Sequence, residues 1–384
     1  MKLLLLGEYS NVHHTLCEAL RRAGHEVLLI SDGDGWKDYP RDVDLHRRLS
    51  GPVGSLIYLC ELALLLPRMR GFDVVQLINP QLLYLKPRWN RWLFDYLKRN
   101  NRLVSLGCFG DDSYVVSRMQ QPDFLDYTDF VAGTKIIDHP LNRQRIQTWC
   151  DPERRAMTEH AVTHADCLMA CLYEYYKVYE QEGFGAKLHY LPLPVERSER
   201  KKEKGQESIK EKGKGKNREN SAVRVLLAVQ KQRGAMKGTD QIEPLLLRLA
   251  KEYPDQIDLH RIESVPFEQY CQEVEEADVI VDQLYSYTPA MTALEAMRRG
   301  KVVITGGERY ELEGEWYEAP VINLRPYDYE ENYRKLRDTL LDRNRIAQLS
   351  EDSRAYVAKY HDADAVARKS ISIWKSLIDK STNR

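Results

Sequence analysis

Two segments in the C-terminal half of the sequence carry residue types that suit a bound diphosphate. In the first, VLLAVQKQRGAMKGTD at 225–240, a strand-like run is followed by Lys231, Arg233, Lys237 and Gly238. Arginine and lysine neutralise phosphate charge, and glycine lets the backbone come close to a ligand. The segment therefore suits a pyrophosphate, and a solvated basic loop is the alternative that its residues leave open.

The second segment, ADVIVDQLYSYTPAMTALEAMRRGKVVITGG at 277–307, predicts a strand, a loop and a helix in that order. The helix covers 291–299 and ends at Gly300. Free backbone N–H groups at a helix N-terminus, together with the helix dipole, favour a phosphate. Glu295, further along the helix, has the acceptor oxygens to bind a ribose diol. A helix-surface charge is the alternative for this glutamate.

Short apolar runs alternate with amphipathic stretches in both halves of the sequence. Strand-like runs occur at 3–6, 27–30, 74–78, 103–106 and 167–170, and again at 223–229, 257–262, 279–281 and 302–305. Strands buried on both faces read as continuous apolar runs, and helices between them indicate parallel βαβ units. The sequence therefore predicts two doubly wound α/β domains with a cleft at the carboxyl ends of their strands.

The predicted boundaries follow this alternation. An N-terminal domain covers 1–195, a second domain covers 221–360, and a C-terminal helix covers 361–384, with packing of that helix back onto the first domain as one option. The segment 196–220 between them is dense in Lys, Arg, Glu, Gly and Ser. Such a segment buries too little apolar surface to order itself, so we expect a charged flexible linker or insertion.

Composition narrows the class of protein. The chain has 384 residues, a net charge of −1 and seven cysteines, among which the sequence has no CxxC pair. These values favour a protein without a nucleic-acid partner and with reduced thiols in the cytoplasm. The apolar run 3–6 is too short for a signal peptide, and the run 55–66 is too short to span a bilayer. The first loop, GEYSN at 7–11, lacks GxGxxG, which argues against a nicotinamide dehydrogenase. The sequence has neither a P-loop nor a GxSxG motif, which argues against a P-loop kinase or ATPase and an α/β-hydrolase.

The C-terminal half resembles the C-terminal domain of GT-B glycosyltransferases, in particular the retaining family 4. The resemblance rests on two patterns: a strand followed by Arg near Lys-Gly and a helix, and then an AD-strand, a loop and a helix with L-E-A-M-x-x-G-K-V-V-I. In the N-terminal half, the runs at 3–7, FDVVQLINP at 72–80 and the succession at 164–196 occur in that family's order. The resemblance implies an α/β fold of two Rossmann-like doubly wound domains facing across a cleft, the first binding the acceptor and the second the nucleotide-sugar.

By this resemblance, Arg233 and Lys237 contact the donor phosphates. Glu295 corresponds to the second glutamate of an E-x7-E pair, which holds the ribose, while Tyr287 stands where the first glutamate is expected. Glu308 is a further candidate by position. The predicted donor-binding set is Arg233, Lys237, Gly238, Asp282, Tyr285, Thr288 and Glu295.

The N-terminal half supplies candidates for the acceptor side. LGCFGDDSY at 106–114 follows a strand, so Asp111 or Asp112 could orient an acceptor hydroxyl or act as its base. A solvated loop aspartate or a helix cap is the alternative for either one. The first loop is expected to bring Gly7, Tyr9 and His13 towards phosphate or acceptor, although a histidine there is more often structural.

Three further patterns each have a simpler interpretation. Asp32-Gly33-Asp34 matches the D-x-D of metal-dependent transferases, but its turn formers favour a turn. The series His160, His164, Cys167 and Cys171 would need one continuous helix to form a zinc site, and a strand is expected from Cys167 onward, so no metal is predicted. LLYLKPRWNRWLFDYLKRNNR at 82–102 suits a membrane surface, and a core-packed helix with a basic outer face is slightly favoured.

These observations predict a metal-independent hexosyltransferase that uses a UDP- or GDP-linked sugar as substrate and needs no other cofactor. Its acceptor would be a glycan or a lipid-linked molecule in cell-surface polysaccharide synthesis, and retention of configuration is carried from the resemblance. The expected location is cytoplasmic, with peripheral contact at the inner face of the membrane as an option. A GT-B sugar-nucleotide epimerase is the nearest enzymatic alternative. A non-catalytic nucleotide-sugar-binding or partner protein is the other, since Tyr287 removes a carboxylate from the donor site.

Overall fold

The computed structural model describes residues 1–196, 221–229 and 234–382, with the backbone alone at Trp36, Phe267 and Thr382. Apart from Glu196, the predicted linker 196–220 lies outside the described residues, and so does Arg233. The chain divides into two compact units. Unit 1 comprises Met1–Phe124, Arg143–Pro194 and the described residues from His361 onward. Unit 2 comprises Leu125–Asn142 and the described residues from Val195 to Tyr360.

The described strands are short, and most coincide with the apolar runs of the sequence. They are β1 (Lys2–Leu6), β2 (Glu26–Ser31), β3 (Val43–Asp44), β4 (Val74–Leu77), β5 (Val104–Cys108), β6 (Val131–Ala132), β7 (Lys135–Ile136), β8 (Cys167–Ala170), β9 (Leu188–Tyr190), β10 (Val223–Val229), β11 (Ile257–Glu263), β12 (Val279–Val281), β13 (Val302–Thr305), β14 (Tyr310–Leu312), β15 (Glu315–Tyr317) and β16 (Ile322–Asn323).

The described α-helices connect these strands or follow them. They are α1 (Val12–Arg22), α2 (Gly51–Leu65), α3 (Pro87–Asn100), α4 (Ser113–Met119), α5 (Pro140–Trp149), α6 (Pro152–His164), α7 (Tyr173–Tyr179), α8 (Gly234–Lys237), α9 (Thr239–Glu252), α10 (Phe267–Glu276), α11 (Met291–Arg298), α12 (Tyr329–Leu340), α13 (Arg343–Tyr360) and α14 (Ala363–Thr382).

Unit 1 is built on a parallel sheet whose order, within its described residues, is β3-β2-β1-β4-β5-β8-β9. Leu3 to Leu6 of β1 are fully buried at its centre. Helices on both faces explain why β1 reads as a continuous apolar run rather than an alternating one. The helix α14 packs against α1 within this unit, and Arg22 pairs with Asp364 at 2.7 Å.

Unit 2 is built on a second parallel sheet, whose described order is β11-β10-β12-β13-β16. Its core includes Val225 of β10, Ile304 of β13 and Leu246 of α9, all almost completely buried. Both sheets are doubly wound, as the sequence predicts, and the carboxyl ends of parallel strands lie at one edge of each sheet.

One segment groups differently from the predicted boundary at residue 195. Leu125–Asn142, which includes the hairpin of β6 and β7, belongs to unit 2. The Tyr127 hydroxyl donates a hydrogen bond to Glu308 at 3.1 Å, and the Lys135 ammonium lies 3.6 Å from the centre of the Tyr327 ring. These contacts hold the segment on unit 2 although the residues before and after it belong to unit 1.

The apolar run at 55–66 forms part of a longer helix than the sequence indicated. The helix α2 begins at Gly51 and continues into a 3-10 turn, Leu66–Met69. Among the described residues, this stretch of 19 is the one helix long and apolar enough to cross a membrane by length and composition. Only 22% of its most apolar window is buried in the protein.

Candidate functional site

The strongest cluster of predicted site residues lies at the carboxyl edge of the sheet in unit 2. The residues 234–237 of α8 follow β10, the loop 282–290 follows β12, and Glu308 follows β13. Since these strands are parallel neighbours, their following loops emerge at the same edge. Ligands bind at this edge in doubly wound folds.

Lys237 and Asp282 form an ion pair at this edge. The Lys237 Nζ lies 3.0 Å from Asp282 Oδ1, and the Asp282 side chain is 3% exposed while that of Lys237 is 22% exposed. The backbone carbonyl of Lys237 also accepts a hydrogen bond from Leu284 N at 2.7 Å. The pair holds a partly accessible ammonium group in a fixed position, and the structure brings these two predicted donor-binding residues together.

Gly238 and Tyr285 support this arrangement by packing. Gly238 has a φ of +70°, and a Cβ there would lie 2.6 Å from the Leu284 Cβ. The buried Tyr285 ring lies against Gly238, and its hydroxyl accepts a hydrogen bond from Gln241 Nε2 at 2.6 Å. Both residues therefore fix the loop after β12 on the start of α9, which is a positioning role.

The helix α11 begins without a side-chain cap. Its N-cap residue is Ala290, so no side-chain oxygen at the cap accepts from the first backbone N–H groups. Such N–H groups favour an anion. The preceding loop is held by Ser286, whose hydroxyl donates to the carbonyl of the buried Thr288, and by Gly306 N, which donates to the Gln283 carbonyl at 2.8 Å.

Glu295 lies on the second turn of α11 and is partly exposed. Its carboxylate accepts hydrogen bonds from Arg298 at 2.9 and 3.1 Å. The side chain keeps 35% of its surface in solvent, so the carboxylate has room for a further partner. The contact with Arg298 is also what a helix-surface ion pair would make, so both interpretations of Glu295 fit this geometry.

A second charged cluster surrounds Glu308. Arg325 donates two hydrogen bonds to its carboxylate, at 2.7 and 3.1 Å, and Asn323 and Tyr127 each donate one at 3.1 Å. Burial alone would raise the pKa of Glu308, but the hydrogen bonds from Arg325 and Asn323 outweigh it and lower that pKa. The Glu308 carboxylate is therefore ionised, and both of its oxygens already accept hydrogen bonds from the protein.

Tyr287, which replaces the expected glutamate, packs beside this cluster. Its ring centre lies 5.4 Å from that of Tyr127, and its carbonyl accepts from Glu308 N at 3.0 Å. Sequence reasoning did not select Tyr127, Asn323 or Arg325. Arg325 could have been found because it closely follows β16, at the same edge as the other loops, whereas Tyr127 comes from a distant segment that gives no such signal.

In unit 1, the first loop is built for close packing. Gly7 has a φ of +88°, and a Cβ there would lie 2.3 Å from Ile78 Cγ2. The Tyr9 ring lies against Gly110, where a Cβ would come within 3.2 Å of it. The loop after β1 and the loop after β5 therefore meet at the carboxyl edge of this sheet.

His13 and its neighbour Glu8 are buried inside this loop. His13 Nδ1 donates to the Gly7 carbonyl at 2.8 Å, and burial lowers its pKa to about 3. Burial raises the pKa of Glu8 to about 8, although its carboxyl group accepts from the backbone N–H groups of His13 and His14. His13 is thus a neutral ring inside the fold, which fits the structural alternative that the sequence left open.

The two aspartates after β5 have different surroundings. Asp112 is completely buried, caps α4 by accepting from Tyr114 N and Val115 N at 2.8 and 2.9 Å, and accepts from the Tyr179 hydroxyl. This geometry fits a helix cap and leaves no accessible oxygen for an acceptor, so we correct its proposed catalytic role. Asp111 keeps 23% of its side chain exposed and is held by two hydrogen bonds from Arg145, at 2.7 and 2.8 Å.

The metal-like patterns are explained by other contacts. Asp34 accepts from Ser10 N at 2.8 Å and pairs with Lys37 at 2.6 Å, so it ties a turn to the first loop. His160 bonds to Asp95 at 2.7 Å, while Cys167 lies in β8. Among residues 1–196, 221–229 and 234–382, no group of three or more His, Cys, Asp or Glu is placed to hold a metal ion.

Comparison with solved structures finds whole-length matches to this chain. Sucrose-phosphate synthase from Thermosynechococcus elongatus matches with a TM-score of 0.59 and 14% identity over 99% of this chain and 100% of that one. Starch synthase IV from Arabidopsis thaliana, solved as its catalytic domain bound to ADP and acarbose, matches with a TM-score of 0.59 and 10% identity over 99% of each chain. Anabaena Alr3699/HepE, in complex with UDP and glucose, matches with a TM-score of 0.57 and 9% identity over 98% of this chain and 100% of that one.

These likenesses extend over nearly the whole chain at low sequence identity. No family model and no curated protein matches the sequence. At 9–14% identity, structural likeness establishes the fold and leaves the reaction to be argued from the site. The chain therefore has the predicted fold class, with two parallel-sheet α/β units as in the GT-B fold.

Proposed function

We propose that this protein transfers a hexose from a UDP- or GDP-linked donor to a glycan or lipid-linked acceptor in cell-surface polysaccharide synthesis. The observation that carries the proposal is the accessible Lys237, fixed by Asp282 at the same sheet edge as the uncapped start of α11. A positioned ammonium and free N–H groups suit the two phosphates of a nucleotide diphosphate. Solved structures of this fold that contain UDP or ADP support the choice of ligand.

In the proposed reaction, the bond between the sugar C1 and the diphosphate oxygen breaks, and a bond forms between C1 and the acceptor oxygen. The nucleoside diphosphate leaves with the electron pair, and Lys237 stabilises the negative charge that develops on it. We assign no metal to this step, because Lys237 and the α11 N-terminus supply positive charge at this edge. Retention of configuration is part of the proposal through the family resemblance.

The acceptor hydroxyl must lose a proton in this reaction. Asp111 is the aspartate of the pair that keeps an accessible carboxylate, and Arg145 fixes its orientation. We therefore propose that Asp111, rather than Asp112, orients the acceptor hydroxyl or takes its proton. The seven cysteines, all among the described residues, form no disulfide, which suits the proposed cytoplasmic location.

Calorimetry with UDP and GDP tests the diphosphate site. Lys237→Ala should weaken binding of the preferred nucleotide by more than about tenfold, given the strength of charge-assisted hydrogen bonds. Lys251→Ala, an exposed lysine near the end of α9, is the matched control and should leave the affinity unchanged. Equal affinities for the wild type and Lys237→Ala would reject the assignment of Lys237.

A turnover assay tests transfer itself. The protein is incubated with a panel of nucleotide-sugars, with and without glycan or lipid-linked acceptors, and the release of nucleotide is measured. Acceptor-dependent release supports the proposal, and Asp111→Asn should lower turnover while nucleotide affinity is kept. Conversion of the donor to an epimer, without acceptor-dependent release, would instead identify an epimerase.

One observation favours a second candidate, a non-catalytic nucleotide-sugar-binding protein. Position 287 carries a tyrosine packed on Tyr127, so it supplies no carboxylate to a donor sugar. Nucleotide-sugar binding without turnover, for every donor that binds, would favour this candidate over the transferase.

A further inference from the structure

The helix α2 exposes apolar side chains over about half of its circumference. Its buried residues, Gly54, Tyr58 and Leu62, are spaced four apart and form one narrow stripe. Outside that stripe, the helix presents the exposed residues Val53, Leu56, Ile57, Leu59 and Leu64, of which Leu64 is 79% exposed. A helix that is apolar all round is normally enclosed by a core or by lipid. Here the protein encloses only one side of it.

Aromatic residues continue this exposed region beside α2. Tyr84, Trp89 and Trp92 are all exposed, and Trp92 stacks on Tyr96 with 5.8 Å between ring centres. The Tyr96 hydroxyl donates to the carbonyl of Leu66, just after α2, at 2.7 Å. We call the exposed residues of α2, together with Tyr84, Trp89 and Trp92, the α2 surface. Tryptophan and tyrosine are the residues that prefer the membrane–water interface.

Basic residues precede and follow the exposed part of α2 in the sequence, and others lie on the exposed face of α3. Residues 47–70 contain four arginines, at positions 47, 48, 68 and 70, and one acidic residue, Glu61. The exposed face of α3 adds Arg88, Arg91 and Arg99. Cations at the border of an apolar surface complement the phosphates of anionic lipid headgroups, whose attraction adds to the burial of apolar area.

The topology of unit 1 decides how such a helix can meet a bilayer. Residues 45–50 connect β3 to α2, and residues 70–73 connect the 3-10 turn to β4. Both strands belong to the same sheet. A helix that crossed a hydrocarbon core of about 30 Å would have its ends on opposite sides, and these short connections could not return both to one sheet. With these connections, α2 can meet a bilayer only by lying along its surface.

A fluid lipid phase fits the α2 surface better than a second protein does. The exposed apolar side chains form one broad face of α2, as in a helix that lies in a membrane interface with its apolar face in lipid. The arginines near α2 and the tryptophans of α3 match the headgroup layer, which a protein partner would have to replace with acidic groups of its own. We propose that the α2 surface docks unit 1 on an anionic lipid bilayer, with α2 lying in the interface.

This docking would also place the acceptor loops close to lipid, a consequence that rests on the proposed function. The connection to α2 leaves β3 at the carboxyl edge of the sheet, the edge from which the loops carrying Tyr9 and Asp111 emerge. Tyr58 of the buried stripe lies beside the backbone of Tyr84. A lipid-linked acceptor could then reach Asp111 while its lipid stays in the bilayer.

Vesicle co-sedimentation of the full chain tests the docking. We expect binding to mixed phosphatidylcholine–phosphatidylglycerol vesicles, weaker binding to phosphatidylcholine alone, and weakening by salt. The double substitution Leu56→Glu with Leu64→Glu should reduce binding at least about tenfold, because two exposed leucines leave the lipid contact. Leu247→Glu, an exposed leucine of α9 in unit 2, is the matched control and should bind as the wild type does.

Three outcomes would overturn the proposal. The wild type could fail to bind mixed vesicles, or the double variant could bind them equally well while unfolding at the same temperature. Light scattering could also show a dimer that the double variant loses, which would assign the α2 surface to a second copy. Calorimetry with the preferred nucleotide should give the wild-type affinity for the double variant, so a failure of lipid docking is distinguishable from a failure of the nucleotide site.

A label on Cys60 tests the depth of α2 directly. Cys60 is exposed on this helix, so an NBD dye can be attached there after Cys150 and Cys271 are replaced by serine. Mixed vesicles should raise the NBD emission and shift it to the blue. The matched control carries the dye on Cys150, with Cys60 and Cys271 replaced, and its emission should not change. Vesicle binding without any change at Cys60 would contradict insertion of α2.

Discussion

The buried His361 should make the stability of unit 1 depend on pH. His361 lies just before α14, completely buried, and its Nδ1 donates to the Leu193 carbonyl at 2.9 Å. Burial lowers the pKa of this ring, and the hydrogen bond to Leu193 raises it by less. The resulting pKa is about 4. The folded protein therefore holds a neutral imidazole that the unfolded chain would protonate at an ordinary pKa of about 6.5.

The size and sign of the effect follow from this difference. Between about pH 6.5 and about pH 4, the unfolded state binds one proton more than the folded state at this residue, so stability falls as pH falls. The slope is about 1.4 kcal/mol per pH unit, and a separation of about 2.5 pKa units corresponds to about 3 kcal/mol in all. This contribution is fully present above pH 6.5 and is lost on acidification through the folded pKa of about 4.

The substitution His361→Gln isolates the contribution. Glutamine can still donate to Leu193 but does not titrate. Urea unfolding is followed by tryptophan fluorescence, to which the fully buried Trp374 of α14 contributes, between about pH 7.5 and about pH 4.5. The variant should be less stable than the wild type at about pH 7.5. Its free energy of unfolding relative to the wild type should rise by about 2–3 kcal/mol between about pH 7.5 and about pH 4.5. A constant difference between the two proteins over this range would refute the reasoning.

Three other substitutions have expected outcomes. Gly306→Ala should lower stability by about 1–3 kcal/mol in thermal unfolding, because its Cβ would lie 1.7 Å from the Ser286 carbonyl oxygen, whereas Gly185→Ala, with open space, should change little. Tyr127→Phe should lower the free energy of unfolding in urea by about 1–2 kcal/mol, because Glu308 loses a hydrogen bond. An unchanged free energy would show that this hydrogen bond does not stabilise the fold. Burial raises the Glu8 pKa to about 8, so its contribution to wild-type stability should fall as pH rises from about 4.5 through 8. Glu8→Gln should remove that slope of about 1.4 kcal/mol per pH unit in urea unfolding, and an unchanged slope would count against the raised pKa.

Much of the fold could be predicted because its strands are buried on both faces. The run Leu3–Leu6 contains no polar residue, and the structure places all four side chains in the core. The start of α2 was missed, although Pro52 near the first turn is a typical helix-start signal. No sequence pattern indicated that Leu125–Asn142 groups with unit 2, because that depends on contacts such as Tyr127 with Glu308, which are 181 residues apart.

The candidate site could be predicted in outline but not in the roles of single residues. Lys237 and Asp282 follow neighbouring strands, so strand-end reasoning placed them at one edge, where they pair. Asp111 and Asp112 are adjacent and could not be separated by pattern. Their difference comes from Tyr179 and Arg145, which the fold brings from 67 and 34 residues away.

The change at Tyr287 and the placement of Leu125–Asn142 belong to one arrangement. The Tyr127 ring, from that segment, packs on Tyr287, and the Tyr127 hydroxyl donates a hydrogen bond to Glu308. A glutamate at 287 would bring a second carboxylate towards the ionised Glu308, and like charges in a partly buried site destabilise each other. Glu308 cannot simply replace the missing glutamate either, because Arg325, Asn323 and Tyr127 already occupy its oxygens. If the site binds a nucleotide-sugar as proposed, recognition of the sugar therefore depends on hydroxyl, backbone and cationic groups rather than on a free carboxylate from either position.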